Sequence, residues 1–144
     1  MYSGSGHDYL TGGIANDLLA GRSGNDTYKV QEFLNGADTI DDSVGVNTLD
    51  VSLMNVGVTV DLARTNMQSL YPGYLSLKFT SINTISNFEG TSGNDTILGN
   101  SLNNEIRGEG GHDVIEGRAG NDRYVGGPGS DRFVFSGLQL VLLS

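Results

Sequence analysis

The sequence of 144 residues predicts an all-β fold in which short parallel strands stack as a solenoid. Three observations carry that prediction: a nine-residue period, an acidic residue at one fixed place in it, and a large apolar residue two places later. A unit this short cannot bury its apolar residue alone, so neighbouring units must stack to build a continuous core.

The period occurs in two blocks. Framed on the acidic residue, the first reads SGSGHDYLT (3–11), GGIANDLLA (12–20) and GRSGNDTYK (21–29). The second reads GTSGNDTIL (90–98), GNSLNNEIR (99–107), GEGGHDVIE (108–116), GRAGNDRYV (117–125) and GGPGSDRFV (126–134). Position six holds Asp8, Asp17, Asp26, Asp95, Asn104, Asp113, Asp122 and Asp131. Position eight holds Leu10, Leu19, Tyr28, Ile97, Ile106, Ile115, Tyr124 and Phe133. Glycines at positions one, two and four permit the positive φ and close backbone approach of a tight turn. Positions seven to nine then form a short strand whose middle side chain points to one face. Two units complete one coil, so residues 18 apart stack in parallel strands about 4.8 Å apart.

That stacking places Asp8 under Asp26, Asp95 under Asp113, Asn104 under Asp122 and Asp113 under Asp131. Like charges at such spacing repel unless a cation lies between them. Paired carboxylates with free carbonyls suit a hard ion such as Ca²⁺, which takes six to eight oxygens in flexible geometry. Zn²⁺ prefers His or Cys, and the chain has 2 His and no Cys. Several calcium ions are therefore expected. His7 and His112 each occupy position five, where an exposed turn residue is expected rather than a catalytic one.

These nonapeptides resemble the RTX (repeats-in-toxin, haemolysin-type) family, whose calcium-binding repeat has the pattern G-G-x-G-x-D-x-U-x. The resemblance covers 3–29 and 90–134. It implies a parallel β-roll, a right-handed β-solenoid with calcium in its turns. It also implies an extracellular protein exported unfolded by a type I system and folded by external calcium. In similar repeats one turn gives its second and fourth carbonyls and its Asp, and the turn 18 residues on gives its first and third carbonyls and its Asp. Carried over, one site uses Gly4, Gly6, Asp8, Gly21, Ser23 and Asp26. A second uses Thr91, Gly93, Asp95, Gly108, Gly110 and Asp113, and a third Glu109, Gly111, Asp113, Gly126, Pro128 and Asp131. The unit 99–107 departs from the pattern, with Leu102 for the fourth Gly and Asn104 for the Asp. Its site with Asp122 loses a formal charge and is expected to be weak or empty.

Residues 30–89 lack clean repeats, but Ile40, Leu49 and Val58 recur at nine, with Asp38 and Asn47 two residues before the first two. The frame has slipped by three after Asp26. Counting back from Ile97 by nine gives Phe88 and Phe79. Degenerate coils that continue the roll are expected here, with strands over 47–51 and 57–62, and a separate small β-domain is the alternative. The stretch 63–78, with Tyr71, Pro72, Gly73 and Tyr74, breaks the period and reads as an excursion loop. Asp38 is expected to pair with Asp17, which has no partner at residue 35. The apolar tail 138–143 reads as a closing strand, a fragment boundary or part of an export signal. At the start, Met1 reads as an initiator added to a piece of a longer protein.

Composition narrows the function. Glycine is 22 of 144 residues, about twice its usual share of about 7%. A net charge of −9 argues against a nucleic-acid partner. No stretch is long and apolar enough to span a membrane, and a monomer is expected. HExxH, GxSxG and a cysteine nucleophile are all absent, so an enzyme is not expected. The runner-up to a calcium-folded domain is a calcium-dependent polysaccharide- or surface-binding module that uses the Tyr71/Tyr74 loop.

Overall fold

The computed structural model describes residues 1–31 and 36–136. Along them run β1 (Tyr9–Leu10), β2 (Leu18–Leu19), β3 (Thr27–Lys29), β4 (Gly36–Ile40), β5 (Thr48–Asp50), β6 (Thr59–Asp61) and β7 (Gln68–Tyr71). There follow β8 (Leu75–Phe79), β9 (Asn87–Glu89), β10 (Thr96–Leu98), β11 (Glu105–Arg107), β12 (Val114–Glu116), β13 (Arg123–Val125) and β14 (Arg132–Val134). Most of these strands have two or three residues, because each unit spends its remaining residues on the turn. None of the described residues forms a helix long and apolar enough to cross a membrane.

The strands make two walls. The first is one sheet in the order β1-β3-β5-β9-β11-β13, and the second is two sheets, β2-β4-β8-β7 and β14-β12-β10-β6. Pairing is parallel throughout except between β7 and β8. Within the two blocks the register step is 18: Leu10 pairs with Tyr28, Ile97 with Ile115, Ile106 with Tyr124 and Ile115 with Phe133. The architecture is the all-β parallel roll that the nine-residue period predicts.

The step changes in the middle segment. It is 21 where Leu19 pairs with Ile40 and Tyr28 with Leu49, which is the slip of three. It then becomes 39 where Ile40 pairs with Phe79 and Leu49 with Phe88. The ladder thus runs through Phe79 and Phe88, and β9 hands it on to β11.

Two readings of this segment are corrected by the structure. Residues 63–78 are not simply a loop. Gln68–Tyr71 and Leu75–Phe79 form an antiparallel hairpin, and Leu70, Leu75 and Leu77 are buried. The hairpin alternates with period two, so it erases the nine-residue period while still feeding the core. Pro72 and Gly73 sit in its turn, with Gly73 at φ 82°, and the rings of Tyr71 and Tyr74 lie 5.4 Å apart beside it. The second correction concerns Val58. The residue that joins the ladder is Val60, paired with Ile97, because the turn between β5 and β6 is two residues longer than a repeat turn. Val58 is buried as well. The closing strand expected over 138–143 lies outside the described residues.

The core is the narrow space between the walls. Leu10, Tyr28, Leu49, Phe88 and Ile106 come from the first wall, and Leu19, Ile40, Phe79, Val60, Ile97 and Ile115 from the second. Outside the hairpin, one inward apolar side chain per strand fills it, as the repeat requires. Where the hairpin enters, the backbone ladder of the second wall is interrupted between β6 and β7. The Gln68 side chain closes that gap: its amide accepts from Asp61 N and donates to Asp61 O, both at 2.9 Å. Arg118 adds a two-point ion pair to the Asp61 carboxylate, at 2.6 and 3.0 Å.

Candidate metal centre

The turns stack so closely that side chains are excluded at defined points. A Cβ on Gly24 would lie 1.6 Å from Gly6 O, and one on Gly129 would lie 1.5 Å from Gly111 O. Both glycines also have positive φ, 129° and 146°, so both the space and the backbone conformation require Gly there. Position two takes positive φ even without glycine, at Arg22 (75°), Glu109 (69°) and Arg118 (69°). Strain of this kind in bulky residues persists only where the surrounding structure imposes it.

Position six forms a ladder along the stack. The backbone N–H of Asp8 donates to Asp26 Oδ1 (2.9 Å), that of Asp95 to Asp113 Oδ1 (2.8 Å), and that of Asp113 to Asp131 Oδ1 (3.0 Å). Asp17 donates to Asp38 Oδ1 (2.9 Å) and Asn104 to Asp122 Oδ1 (2.9 Å). The second carboxylate oxygen folds back against position one of its own turn. A Cβ on Gly21, Gly108 or Gly126 would lie 2.1, 2.2 or 2.1 Å from Asp26, Asp113 or Asp131 Oδ2. Glycine at position one therefore makes room for a carboxylate oxygen.

Three of these oxygens decide the chemistry. Asp8 Oδ2, Asp26 Oδ2 and Asp113 Oδ2 are buried with no hydrogen-bond partner, the only such side-chain atoms among the described residues. A buried carboxylate oxygen without a donor carries a large desolvation cost unless a cation or proton meets it. No group of three or more His, Cys, Asp or Glu side chains among the described residues is placed to hold a metal. The donor set available at each turn is thus two carboxylates plus backbone carbonyls. Such an all-oxygen set fits Ca²⁺.

The three expected sites differ. In the first, Gly6 N–H bonds Ser23 O (2.8 Å), and in the third Gly111 N–H bonds Pro128 O (3.1 Å). These two share one turn geometry, and in both the Asp of the lower turn, Asp8 or Asp113, keeps an orphaned oxygen. The second is built otherwise. Thr91, β-branched, does not take the positive φ that Arg22 and Glu109 adopt at position two. Instead its N–H donates to Asp95 Oδ2 (2.7 Å) and its hydroxyl to Asp95 Oδ1 (2.9 Å), which also accepts Val58 N–H (2.8 Å). Thr91 O itself accepts Gly110 N–H at 3.2 Å, and Gly93 N–H bonds the Thr91 hydroxyl at 2.9 Å. Asp95 lies under Asp113 but has no oxygen left without a donor.

The Asn104–Asp122 pair is closed by amides. Asn104 Nδ2 donates to Ser86 O (2.9 Å) and Asn100 Oδ1 (3.0 Å), and its Oδ1 accepts Asn100 N–H (3.1 Å). Tyr124 hydroxyl donates to Asp122 Oδ2 at 3.3 Å. At the slipped coil, a Cβ on Gly12 would meet Asp38 Oδ2 at 2.8 Å and Asp17 Oδ2 at 3.1 Å, so both carboxylates face one glycine.

Position five carries a second ladder that the sequence reading missed. His7 Nδ1 accepts Asn25 N–H (3.0 Å), Asn25 Oδ1 accepts Val46 N–H (2.8 Å), and Asn94 Oδ1 accepts His112 N–H (2.8 Å). Asn103 serves Asn121 at 2.9 Å and His112 Nδ1 serves Ser130 at 2.9 Å. The recurrence of Asn or His at position five was the signal available. Both histidines are exposed and act as spacers between turns.

Burial also raises acidic pKa values. Desolvation, with Asp95 and Asp131 close by, pushes the Asp113 carboxyl up to about 6 from 3.8. Desolvation raises Asp26, Asp38 and Asp95 as well. A carboxyl whose folded pKa is raised stabilises the fold fully below its unfolded value and loses that contribution as pH rises through the folded value. For Asp113 the window runs from 3.8 to about 6. In chelator, the strand signal that the second block lacks at about pH 7 should therefore be partly recovered at about pH 5. A signal that falls further on this acidification contradicts the assignment, and saturating calcium should flatten or invert the trend.

In comparison with known families, the sequence matches the one described as RTX calcium-binding nonapeptide repeat (4 copies), over residues 1–28, 87–101 and 98–133. Together these stretches cover just over half of the chain, and both repeat blocks fall within them except for their last residues, Lys29 and Val134. No curated protein matches the chain.

Proposed function

Because the chain belongs to the RTX calcium-binding nonapeptide repeat family, and so carries a calcium-binding repeat domain, we propose that calcium drives its folding outside the cell. In this reading the domain supports export and stability of a larger secreted protein and performs no catalysis itself. The observation that carries it is the set of orphaned carboxylate oxygens on Asp8, Asp26 and Asp113, each buried in a stacked turn.

Bound calcium supplies positive charge between stacked carboxylates. Everything else comes from the chain. Gly4, Gly6, Asp8, Gly21, Ser23 and Asp26 would hold one ion, and Glu109, Gly111, Asp113, Gly126, Pro128 and Asp131 another. Thr91, Gly93, Asp95, Gly108 and Gly110 with Asp113 form a weaker candidate, since Thr91 already occupies both oxygens of Asp95. Asn104 and Asp122 are the weakest pair, because amide and phenol groups already satisfy them. Asp17 and Asp38 extend the first ladder across the slip. An extracellular module of this type binds at about 10⁻⁴–10⁻³ M, so it would stay metal-free in cytosol and load outside.

Calorimetric titration of the full chain tests this. Several calcium ions should bind in that range, and Asp38→Ala should lower the stoichiometry or weaken the affinity. A chain that takes up no calcium at millimolar concentration sinks the reading. An unchanged isotherm for Asp38→Ala removes the Asp17–Asp38 site alone.

A further inference from the structure

The repeat geometry continues one coil past the matched block, into a unit that the motif does not describe. Residues 42–50, DSVGVNTLD, place Gly45 at position four, Asn47 at six and Leu49 at eight. They stack on 21–29 at the slipped step of 21, with Thr27 paired to Thr48 and Tyr28 to Leu49. Asp26 N–H donates to Asn47 Oδ1 (3.0 Å), as Asp8 N–H does to Asp26. Gly45 has φ 95°, and a Cβ there would lie 1.7 Å from Gly24 O. This turn is built like those of the calcium blocks.

Its charges are rearranged. Asn47 removes the carboxylate from position six and turns its amide to Val44 O (3.3 Å) and Thr84 O (3.2 Å). Asp42 returns a carboxylate at position one, directly above Gly21, where the motif has glycine. Asp42 is 4% exposed and Asp26 is 0% exposed. Tyr28 bridges the two turns: its hydroxyl accepts Gly21 N–H (2.8 Å) and donates to Asp42 Oδ2 (2.6 Å). Asp42 Oδ1 accepts Val44 N–H at 3.0 Å.

Asp26 Oδ2, with no donor, occupies the same small space. A Cβ on Gly21 would meet it at 2.1 Å and the Tyr28 hydroxyl at 2.6 Å. Neither Asp26 nor Asp42 takes part in an ion pair with Lys or Arg among the described residues. Two buried carboxylates therefore lie beside one neutral donor, the Tyr28 hydroxyl, which serves Asp42 and leaves Asp26 Oδ2 without a partner, an arrangement that calls for a cation or a shared proton.

We propose that Asp26 and Asp42, walled by Tyr28, hold a further Ca²⁺ between the first repeat block and the coil above it. The site lies off the 18-residue ladder, and its second carboxylate comes from position one instead of position six. The inference rests on the calcium-binding reading above, but it is separable from it.

Terbium, a luminescent stand-in for calcium excited through nearby tyrosine, reads the site directly in the full chain. Asp42→Asn should bind one ion fewer than wild type by calorimetry and lose the part of the terbium emission that depends on Tyr28. Tyr28→Phe, which keeps both carboxylates and the core contacts, defines that part of the emission, and Asp8→Asn, which weakens the neighbouring repeat site, should keep it. Asp131→Asn should lose an ion of the other block and keep the Tyr28-dependent emission. Unchanged stoichiometry in a folded Asp42→Asn, or loss of the Tyr28-dependent emission in Asp8→Asn, overturns the site and leaves a proton shared by the two carboxyls. If wild type binds no calcium at all, the general reading fails first.

Discussion

Chelation of calcium should remove the strand signal that residues 3–29 and 108–134 contribute to circular dichroism, while the middle of the chain and the units 90–107 retain part of their structure. The first half of that expectation follows from charge. Asp8 with Asp26, and Asp113 with Asp131, stack at neighbouring-strand spacing. Two unit charges about 4 Å apart at an effective dielectric near 20 repel by about 4 kcal/mol, a large share of the roughly 5–15 kcal/mol that stabilises a typical domain. Glycine-rich turns add a high entropic cost of ordering.

The second half follows from which turns are closed by protein groups. Asn47 binds Val44 and Thr84, Thr91 binds Asp95, and Asn100 and Asn104 bind each other and the carbonyls of Ile85 and Ser86. The position-six groups here already have protein partners, so these turns lose least when the ions are removed. Hydrogen exchange in chelator should show protection surviving at β5, β8 and β9 and vanishing at β1, β3 and β14. An unaltered spectrum in excess chelator would falsify the folding switch. Uniform loss of protection would show instead that the middle segment cannot stand alone.

Phe88→Ala is expected to be the most damaging single core substitution, at about 3–5 kcal/mol. Phe88 is fully buried and pairs with Leu49 on one side and Ile106 on the other. It is the point where the slipped first half of the ladder meets the regular second half, so a cavity there loosens both. Phe133→Ala, at 40% exposure near the top of the described stack, should cost well under half as much. Denaturant unfolding of both variants with calcium saturating is the check. Equal losses would mean that the two halves are not coupled through β9.

Much of this architecture was legible from spacing. Asp at position six and an apolar residue at position eight were enough to place the ladders of both blocks, and the slip of three was visible in the distance from Asp26 to Asp38. Phe79 and Phe88 were reached by counting back from Ile97. The hairpin was not legible as such, because the alternation of Leu70, Leu75 and Leu77 is local and obscures the longer period. Val60 was missed for Val58 because a turn can lengthen by two residues without any change in composition.

At the candidate site the spacing located carboxylates but did not reveal which of them already had donors. Thr91 looks like an ordinary variant of position two until its φ is known, and only then does its grip on Asp95 emerge. Asp42 was hidden for a related reason. It stands where the motif demands glycine, so a search for Asp at position six passes over it.

The unequal walls have a mechanical consequence. The first wall is a single hydrogen-bonded sheet from β1 to β13, whereas the second is parted between β6 and β7 and sewn by the Gln68 amide and the packing around it. Tension along the long axis is carried by every rung of the first wall but must pass through that one side chain on the second. Under load the molecule should therefore open on one side, like a hinge, with Gln68 as the first stitch to give and β5–β9 as the pin.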